Sequence, residues 1–284
     1  MMLNRCTAFT LLALALCAGA LARADEDGAK GVVTAREASA ALSDGEFNTA
    51  ETLFTQALAS GDLEPRMEVI VLLRRATARH ALKLYDRALT DLADAAKKDQ
   101  DFGMRADNSG RKVAVMVTYN RGIVHESMGK YAEAMKDYDE ALRRDPEFSW
   151  VYVNRGNVNR AQGRCGPALA DYADALKFGP DDNIAIANKA WVLATCPDRA
   201  FRNGSDALSL ARKVNADSQH PYLQNILAAA LAEAGFFPAA VEAQEKALAM
   251  LGPADGEMRS VFQARLKSYE QGKPWRDVPE KTAK

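Results

Sequence analysis

Three asparagines recur at a single spacing in the middle of the sequence. Asn120, Asn154 and Asn188 follow one another at intervals of 34 residues. A side-chain amide both donates and accepts hydrogen bonds, so a row of amides could clamp the backbone of an extended peptide. The alternative interpretation is that each asparagine bonds a neighbouring helix or caps local backbone. The sequence is compatible with both interpretations.

Further side chains suited to binding are predicted on or near the face of these asparagines. They are aromatic, amide and basic: Tyr119, Trp150, Asn157, Arg160 and Trp191. Exposed aromatic residues beside an arginine and amides are typical of the energetic centre of a protein interface. Trp150 and Trp191 could equally belong to the core between repeats.

A second set of residues pairs an arginine with an aspartate 16 positions later. The pairs are Arg75 with Asp91, Arg121 with Asp137, and Arg155 with Asp171. Repeats that lack the arginine also lack the aspartate: Glu37 stands opposite Leu53, and Leu227 opposite Ala243. Because the two residue types occur together, we interpret them as structural pairs between helices rather than as a ligand site. Partly shielded pairs of this kind contribute about 1 kcal/mol or less.

Sequence motifs for catalysis and metal binding are missing. The three histidines, His80, His125 and His220, do not stand with cysteines or carboxylates at metal-ligand spacing. The sequence has no glycine-rich phosphate loop, no Cys-x-x-Cys and no serine nucleophile elbow. We therefore expect a protein that is not an enzyme and that uses no metal and no cofactor.

The elements that position these side chains are predicted to be paired helices. A 34-residue pattern is clearest from Val115 to Asp182, where Asn120-Arg121-Gly122 recurs as Asn154-Arg155-Gly156. Apolar and small residues follow the three- and four-residue intervals of an α-helix almost throughout, and no convincing strand pattern is present. A single helix pair cannot bury its own apolar stripe, so units with this period must stack on their neighbours.

The pattern divides most of the chain into six units. Their approximate bounds are 31–64, 69–102, 115–148, 149–182, 183–217 and 221–254. A polar leader, residues 25–30, precedes them. An amphipathic helix at 255–271 is expected to cover the open end of the stack. Residues 272–284 are polar and are predicted to form a loose tail.

This pattern resembles the tetratricopeptide repeat (TPR), over about Gly31 to Leu251. That family places a small residue late in the first helix of each pair, as in Ala38, Ala76, Gly122, Gly156, Ala190 and Ala228. It places alanine early in the second helix, as in Ala50, Ala88, Ala134, Ala168, Ala207 and Ala240. Four residues on it expects a large residue, and Ala211 and Gln244 depart from this. The resemblance implies an all-α, right-handed solenoid in which the first helices line a concave face.

The resemblance and the missing catalytic motifs together favour a non-catalytic scaffold. We expect it to bind a peptide or protein segment in the concave groove. The alternatives are a self-assembling structural protein and, with less support, an enzyme accessory subunit. A monomer or a weak homo-oligomer is consistent with either of the first two.

The first 24 residues have the composition of a secretory signal peptide. A short basic start precedes an apolar run from Ala8 to Leu21, and Ala22-Arg23-Ala24 forms a cleavage site. We predict cleavage near Ala24 and a periplasmic or secreted protein with no membrane span, the alternative being an uncleaved anchor. Cleavage leaves 35 of the 37 basic residues against 38 acidic ones. With this balance and no basic run, nucleic acid is not an expected partner.

Two cysteines, Cys165 and Cys196, remain after this cleavage. An even number of cysteines in an exported protein permits a disulfide. Their separation is close to one repeat, so both could lie at the same edge of adjacent units. The alternative is two separate buried thiols, which behave as small apolar residues.

Overall fold

The computed structural model describes residues 29–100, 112–215 and 220–277 of the 284-residue chain. The predicted signal peptide, most of the predicted leader and the loop at 103–111 lie outside the described residues. Within the described ranges the chain forms thirteen α-helices and one short 3-10 helix, Arg199–Phe201. The α-helices are α1 Lys30–Ser43, α2 Phe47–Ala59, α3 Pro65–Ala81, α4 Tyr85–Gln100, α5 Val113–Ser127, α6 Tyr131–Arg144, α7 Ser149–Ala161, α8 Cys165–Phe178, α9 Asn183–Thr195, α10 Gly204–Asn215, α11 Pro221–Glu233, α12 Phe237–Ala249 and α13 Gly256–Glu270.

The helices pack as six consecutive pairs followed by α13, which is the all-α solenoid class that the sequence predicts. The pairs fall close to the predicted units. The largest offset is at α3, which begins at Pro65, four residues before the predicted start of the second unit. Proline suits this first helical position, where its missing N–H leaves no intrahelical hydrogen bond unmade.

The chain divides into two compact units between Glu147 and Phe148. The N-terminal unit contains α1 to α6, and the C-terminal unit contains α7 to α13.

In the N-terminal unit, α5 and α6 cross closely at a glycine. A Cβ at Gly122 would lie 2.6 Å from Cε1 of the fully buried Tyr138. The Tyr138 hydroxyl donates to Glu126 Oε2 at 2.6 Å, so the buried ring keeps a partner for its polar end. Because Gly122 has no side chain, the ring of Tyr138 on the next helix can pack directly against its backbone.

The C-terminal unit repeats this crossing between α7 and α8. A Cβ at Gly156 would lie 2.7 Å from Cε1 of Tyr172, whose hydroxyl donates to Asn157 Oδ1 at 2.9 Å. Beyond this pair, a core of small and aliphatic residues runs through α9 to α12, and Tyr269 of α13 packs into it. Helix α13 therefore covers apolar surface at this end of the unit.

Cys165 at the start of α8 and Cys196 just after α9 are joined by a disulfide, with 6.3 Å between their Cα atoms. The bond ties the second helix of one repeat to the first helix of the next. Both cysteines are buried, against Tyr172 and Val192. The bond thus fixes the start of the long loop between α9 and α10.

The residues that follow α13 are not a loose tail as far as the structure describes them, and this prediction is wrong for residues 273–277. These residues are called the C-terminal segment below. Trp275 packs against the core of the C-terminal unit. The main-chain N–H of Asp277 donates to the Thr195 carbonyl at 2.8 Å. The segment is polar in composition, but one aromatic ring and one hydrogen-bonded backbone group dock it.

The imidazole of His80, in the last turn of α3, is half-buried and faces α5 in the N-terminal unit. Its Nε2 lies 2.7 Å from Ser127 Oγ, and its ring centroid is 5.9 Å from that of Tyr85. Burial lowers the pKa of His80 from 6.5 to about 4. The folded protein therefore keeps this side chain neutral at pH values where the unfolded chain would protonate it.

We expect the free energy of unfolding to fall as the pH is lowered from about 6.5 to about 4, because only the unfolded state takes up this proton. His80→Gln, which keeps an amide to bond Ser127, removes the titration. The difference in stability between wild type and variant should then change by on the order of 3 kcal/mol across that range. Urea unfolding at pH 7 and pH 4 measures it. Parallel stability curves for the two proteins would contradict this assignment.

Candidate binding site at the ends of the first helices

The three predicted Arg–Asp pairs all form, and each joins the two helices of one pair. Their N–O distances are 2.7 Å for Arg75–Asp91, 2.5 Å for Arg121–Asp137 and 2.6 Å for Arg155–Asp171. Each aspartate is buried and accepts a further bond, from Arg79, His125 and Asn159 respectively. Satisfied buried carboxylates of this kind hold helices in register rather than present charge to a ligand.

The predicted row of asparagines is not a row of equally exposed amides. Asn120 and Asn154 are half-buried, but Asn188 is only 7% exposed. Its Nδ2 donates to Asn157 Oδ1 at 3.0 Å, and its Oδ1 lies 3.5 Å from the hydroxyl of Tyr222. The prediction that Asn188 contacts a ligand is therefore wrong here: its amide links α7, α9 and α11 to one another.

The aromatic residues predicted on the binding face also differ in their exposure. Tyr119 is 2% exposed and lies against Tyr138, so it belongs to the core and not to a surface. Trp150 is half-buried in the first turn of α7. Trp191 is 3% exposed, which matches the alternative that it is core, yet its indole N–H points to the C-terminal segment. Helical spacing places these residues on a face but does not tell how deeply that face is covered.

The structure brings Arg160 and Trp191 together on one carboxylate. Asp277 Oδ2 accepts a hydrogen bond from Arg160 Nη1 and another from Trp191 Nε1, both at 2.9 Å. Burial lowers the pKa of Arg160, but the charges around it, Asp277 first among them, outweigh burial and raise the pKa above its usual value. A charge-assisted bond in so shielded a place is stronger than one at the surface.

A second arginine borders the same place from α13. The guanidinium carbon of Arg265 lies 4.5 Å from the ring centroid of Trp191 and 5.6 Å from that of Trp275. Its Nη1 donates to Asn225 Oδ1 at 2.8 Å. Burial lowers the pKa of Arg265. The guanidinium is thus held between aromatic faces, an arrangement that stabilises a desolvated cation.

Arg276 anchors the C-terminal segment at the end of α11. Its Nη1 lies 2.7 Å from Glu233 Oε2, while Arg202 Nε is 2.9 Å from Glu233 Oε1. Arg276 also donates to the Ala194 carbonyl at 3.3 Å. The segment therefore crosses the C-terminal ends of α7, α9 and α11, which are the first helices of three successive pairs. The side chains that hold or form this contact are together called the segment site: Arg160, Trp191, Arg202, Asn225, Glu233, Arg265, Trp275, Arg276 and Asp277.

Most of the segment site was missed by reading the sequence. Trp275, Asp277, Glu233 and Arg265 lie outside the positions that the 34-residue pattern marks. One signal was present: Trp275 is one of only three tryptophans in the chain and stands in an otherwise polar stretch.

The fold and this site define a solenoid of helix pairs in which the chain's own C-terminal segment lies against three first helices, α7, α9 and α11. In the described part of the chain, no group of His, Cys, Asp and Glu side chains is arranged to hold a metal ion. None of the helices described here has both the length and the apolar character needed to cross a membrane.

Two stretches of the chain match a known repeat family. Residues 36–103 and 117–148 match the tetratricopeptide repeat family. Proteins built from tetratricopeptide repeats are generally scaffolds for protein interaction. No curated protein matches the sequence.

Solved structures align with this chain at low sequence identity. The APC/C hetero-tetramer Cut9–Hcn1 aligns with 14% identity and a TM-score of 0.68, covering 90% of this chain and 46% of that one. Yeast Tom70 aligns with 18% identity and a TM-score of 0.56, covering 87% and 51%. YrrB, described as a TPR protein with an unusual peptide-binding site, aligns with 19% identity and a TM-score of 0.48, covering 74% and 97%. The chain thus spans about half the length of the first two.

Proposed function

We propose that this protein is a non-catalytic scaffold that binds an extended segment of another polypeptide on the face formed by α7, α9 and α11. One observation carries the proposal: the chain's own C-terminal segment lies across the ends of these helices. It is held by a main-chain hydrogen bond to Thr195 and by a carboxylate on Arg160 and Trp191. These are the contacts by which an extended peptide is bound, main chain for affinity and side chain for specificity. The tetratricopeptide repeats support the same function.

We also infer that the protein works outside the cytoplasm, in the periplasm or as a secreted protein. The signal-like pattern of residues 1–24 motivates this. The disulfide between Cys165 and Cys196 supports it, because such bonds persist in oxidising compartments.

A photo-crosslinking experiment tests the binding face. A photoreactive amino acid replaces Asn154, half-buried on the first helix α7, in the protein expressed in its native host. The matched control replaces Lys177, an exposed residue on the second helix α8. We expect Asn154 to yield a discrete crosslinked polypeptide and Lys177 to yield none. The mass of the recovered chain also tells whether residues 1–24 have been removed.

The Lys177 control tells whether binding is specific to the face formed by the first helices or also occurs on the second helices. Equal crosslinking at both positions, or crosslinking at Lys177 alone, would show that the first-helix face is not the binding surface. A crosslink from Asn154 to a second copy of this chain would favour the self-assembling alternative instead.

A further inference from the structure

We propose that the segment site recognises a partner segment with the chemistry of the C-terminal segment, an acidic side chain two residues after an aromatic one. The chain's own Trp275 and Asp277 then act as an internal ligand that the partner must displace. The inference rests on the proposed function, since it names the kind of segment that the scaffold would take. It assigns the specificity to Arg160, Trp191 and Arg265.

The acidic position is read by two donors of different kinds. Arg160 offers a charged guanidinium and Trp191 an indole N–H, and both meet the same oxygen of Asp277. The contact is to a side chain, so it does not require the free end of a polypeptide. An uncharged amide at this position would present an NH2 group or a weaker acceptor to the arginine, so the site discriminates in favour of a carboxylate.

The aromatic side chain of the segment, Trp275, is contacted by a cation, the Arg265 guanidinium. The Arg265 guanidinium lies near the rings of Trp191, Trp275 and Phe262, at 4.5, 5.6 and 5.7 Å from their centroids. Trp275 is the one of these three rings that arrives with the C-terminal segment. An aromatic side chain from a partner could take this place, because a cation–π contact needs a ring face and no specific polar group.

The site is also richer in hydrogen-bond donors than its present occupant requires. Among the residues that the structure describes, three buried nitrogen atoms around the site have no acceptor: Arg160 Nε, Arg265 Nε and Asn225 Nδ2. Over the same described ranges, Arg265 forms no ion pair with a carboxylate. Buried donors without acceptors are costly. A partner segment with a second acidic side chain would satisfy more of them than the internal ligand does.

The internal ligand can leave the site without the unfolding of a helix. The segment has no regular secondary structure, and its residues 274–277 remain half-exposed. It follows α13 through Gln271 and Gly272, and Gly272 has a positive φ of 67° that glycine adopts without strain. The segment can therefore leave the site while α13, with Tyr269 in the core, stays in place.

Peptide binding to the full-length protein tests the proposal. The probe is a dye-labelled synthetic peptide with the sequence of residues 270–279. Asp277→Lys opens the site, because a lysine at this place is repelled by Arg160. We expect the peptide to bind this variant at least about tenfold more tightly than wild type, since an occupied site lowers apparent affinity by its open fraction. The matched control, Asp181→Lys, makes the same change of charge at a highly exposed aspartate and should bind like wild type.

One further protein, one variant peptide and one spectrum test the specificity. Adding Arg160→Gln to Asp277→Lys should abolish binding, as should replacing the aspartate of the peptide by asparagine. In a protein with labelled tryptophan, the Trp191 indole N–H resonance should move in Asp277→Lys and return toward its wild-type position when the peptide binds. This spectrum also shows that the variant is folded.

Equal peptide binding by wild type and Asp277→Lys, or binding that ignores Arg160→Gln, would overturn the inference. So would a concentration-dependent dimer that Asp277→Lys abolishes, because the occupant would then be a second copy's segment. If Asn154 crosslinks a partner while the opened site ignores the peptide, the inference fails and the proposed function stands. If the peptide binds the opened site and Asn154 crosslinks no partner, the proposed function fails, and the inference is reduced to the displacement of the internal ligand by this peptide.

Discussion

Replacing Tyr172 by alanine should lower the free energy of unfolding by about 3–5 kcal/mol, the range for removing a large buried aromatic side chain. The ring is fully buried between α7 and α8, and its hydroxyl bonds Asn157. Its removal leaves a cavity against Gly156, which has no side chain to fill the space, and it also removes one of the two donors to Asn157 Oδ1, the other being Asn188 Nδ2. Chemical denaturation followed by circular dichroism measures the loss.

Tyr152→Ala is the matched control, because Tyr152 is half-buried and stacks on Phe178 with ring centroids 6.0 Å apart. We expect that change to cost about 1 kcal/mol. Equal losses for the two variants would show that Tyr172 has no special place in the helix crossing.

The same crossing allows a stricter test through Gly156. In the wild-type background, Gly156→Val forces its Cβ into the Tyr172 ring and should cost about 2–3 kcal/mol by overpacking. In the Tyr172→Ala background the ring is absent, so most of that cost should disappear. Strict additivity of the two changes would contradict the contact.

Breaking the Cys165–Cys196 bond is the other change with a large expected effect. The bond closes a loop between positions 31 residues apart, and a loop of this length contributes about 3–4 kcal/mol in the chain-entropy description. Wild type treated with dithiothreitol should therefore unfold at a lower urea concentration than untreated protein. The variant with both cysteines changed to alanine should start from the lower value.

The double-alanine variant treated with reductant is the control in this experiment. Reductant should have no effect on this variant, because that protein lacks the Cys165–Cys196 bond. An unfolding midpoint of wild type that does not respond to reductant would show that the bond does not stabilise the fold.

The two parts of the segment site differ in how they relate to the repeat. Arg160 and Trp191 belong to helices whose positions the repeat determines, and the sequence indicates that they share a face. Asp277, Trp275 and Arg265 come from the end of the chain, where no repeat pattern applies. Binding in a repeat protein can therefore depend on residues that a repeat-based reading leaves out.

The sequence by itself determined the helix pairs, the small residue at each crossing and the Arg–Asp pairs. These features depend on contacts within one repeat or between neighbours, so a 34-residue period marks them directly. Tertiary structure alone decided three other matters. The amide of Asn188 is buried and hydrogen-bonds a neighbouring first helix, and Tyr119 is buried in the core. Asp277 bonds Arg160, which lies 117 positions earlier in the chain. The physical reason is that exposure and non-periodic contacts depend on what packs over a face, and periodicity contains no information about that cover.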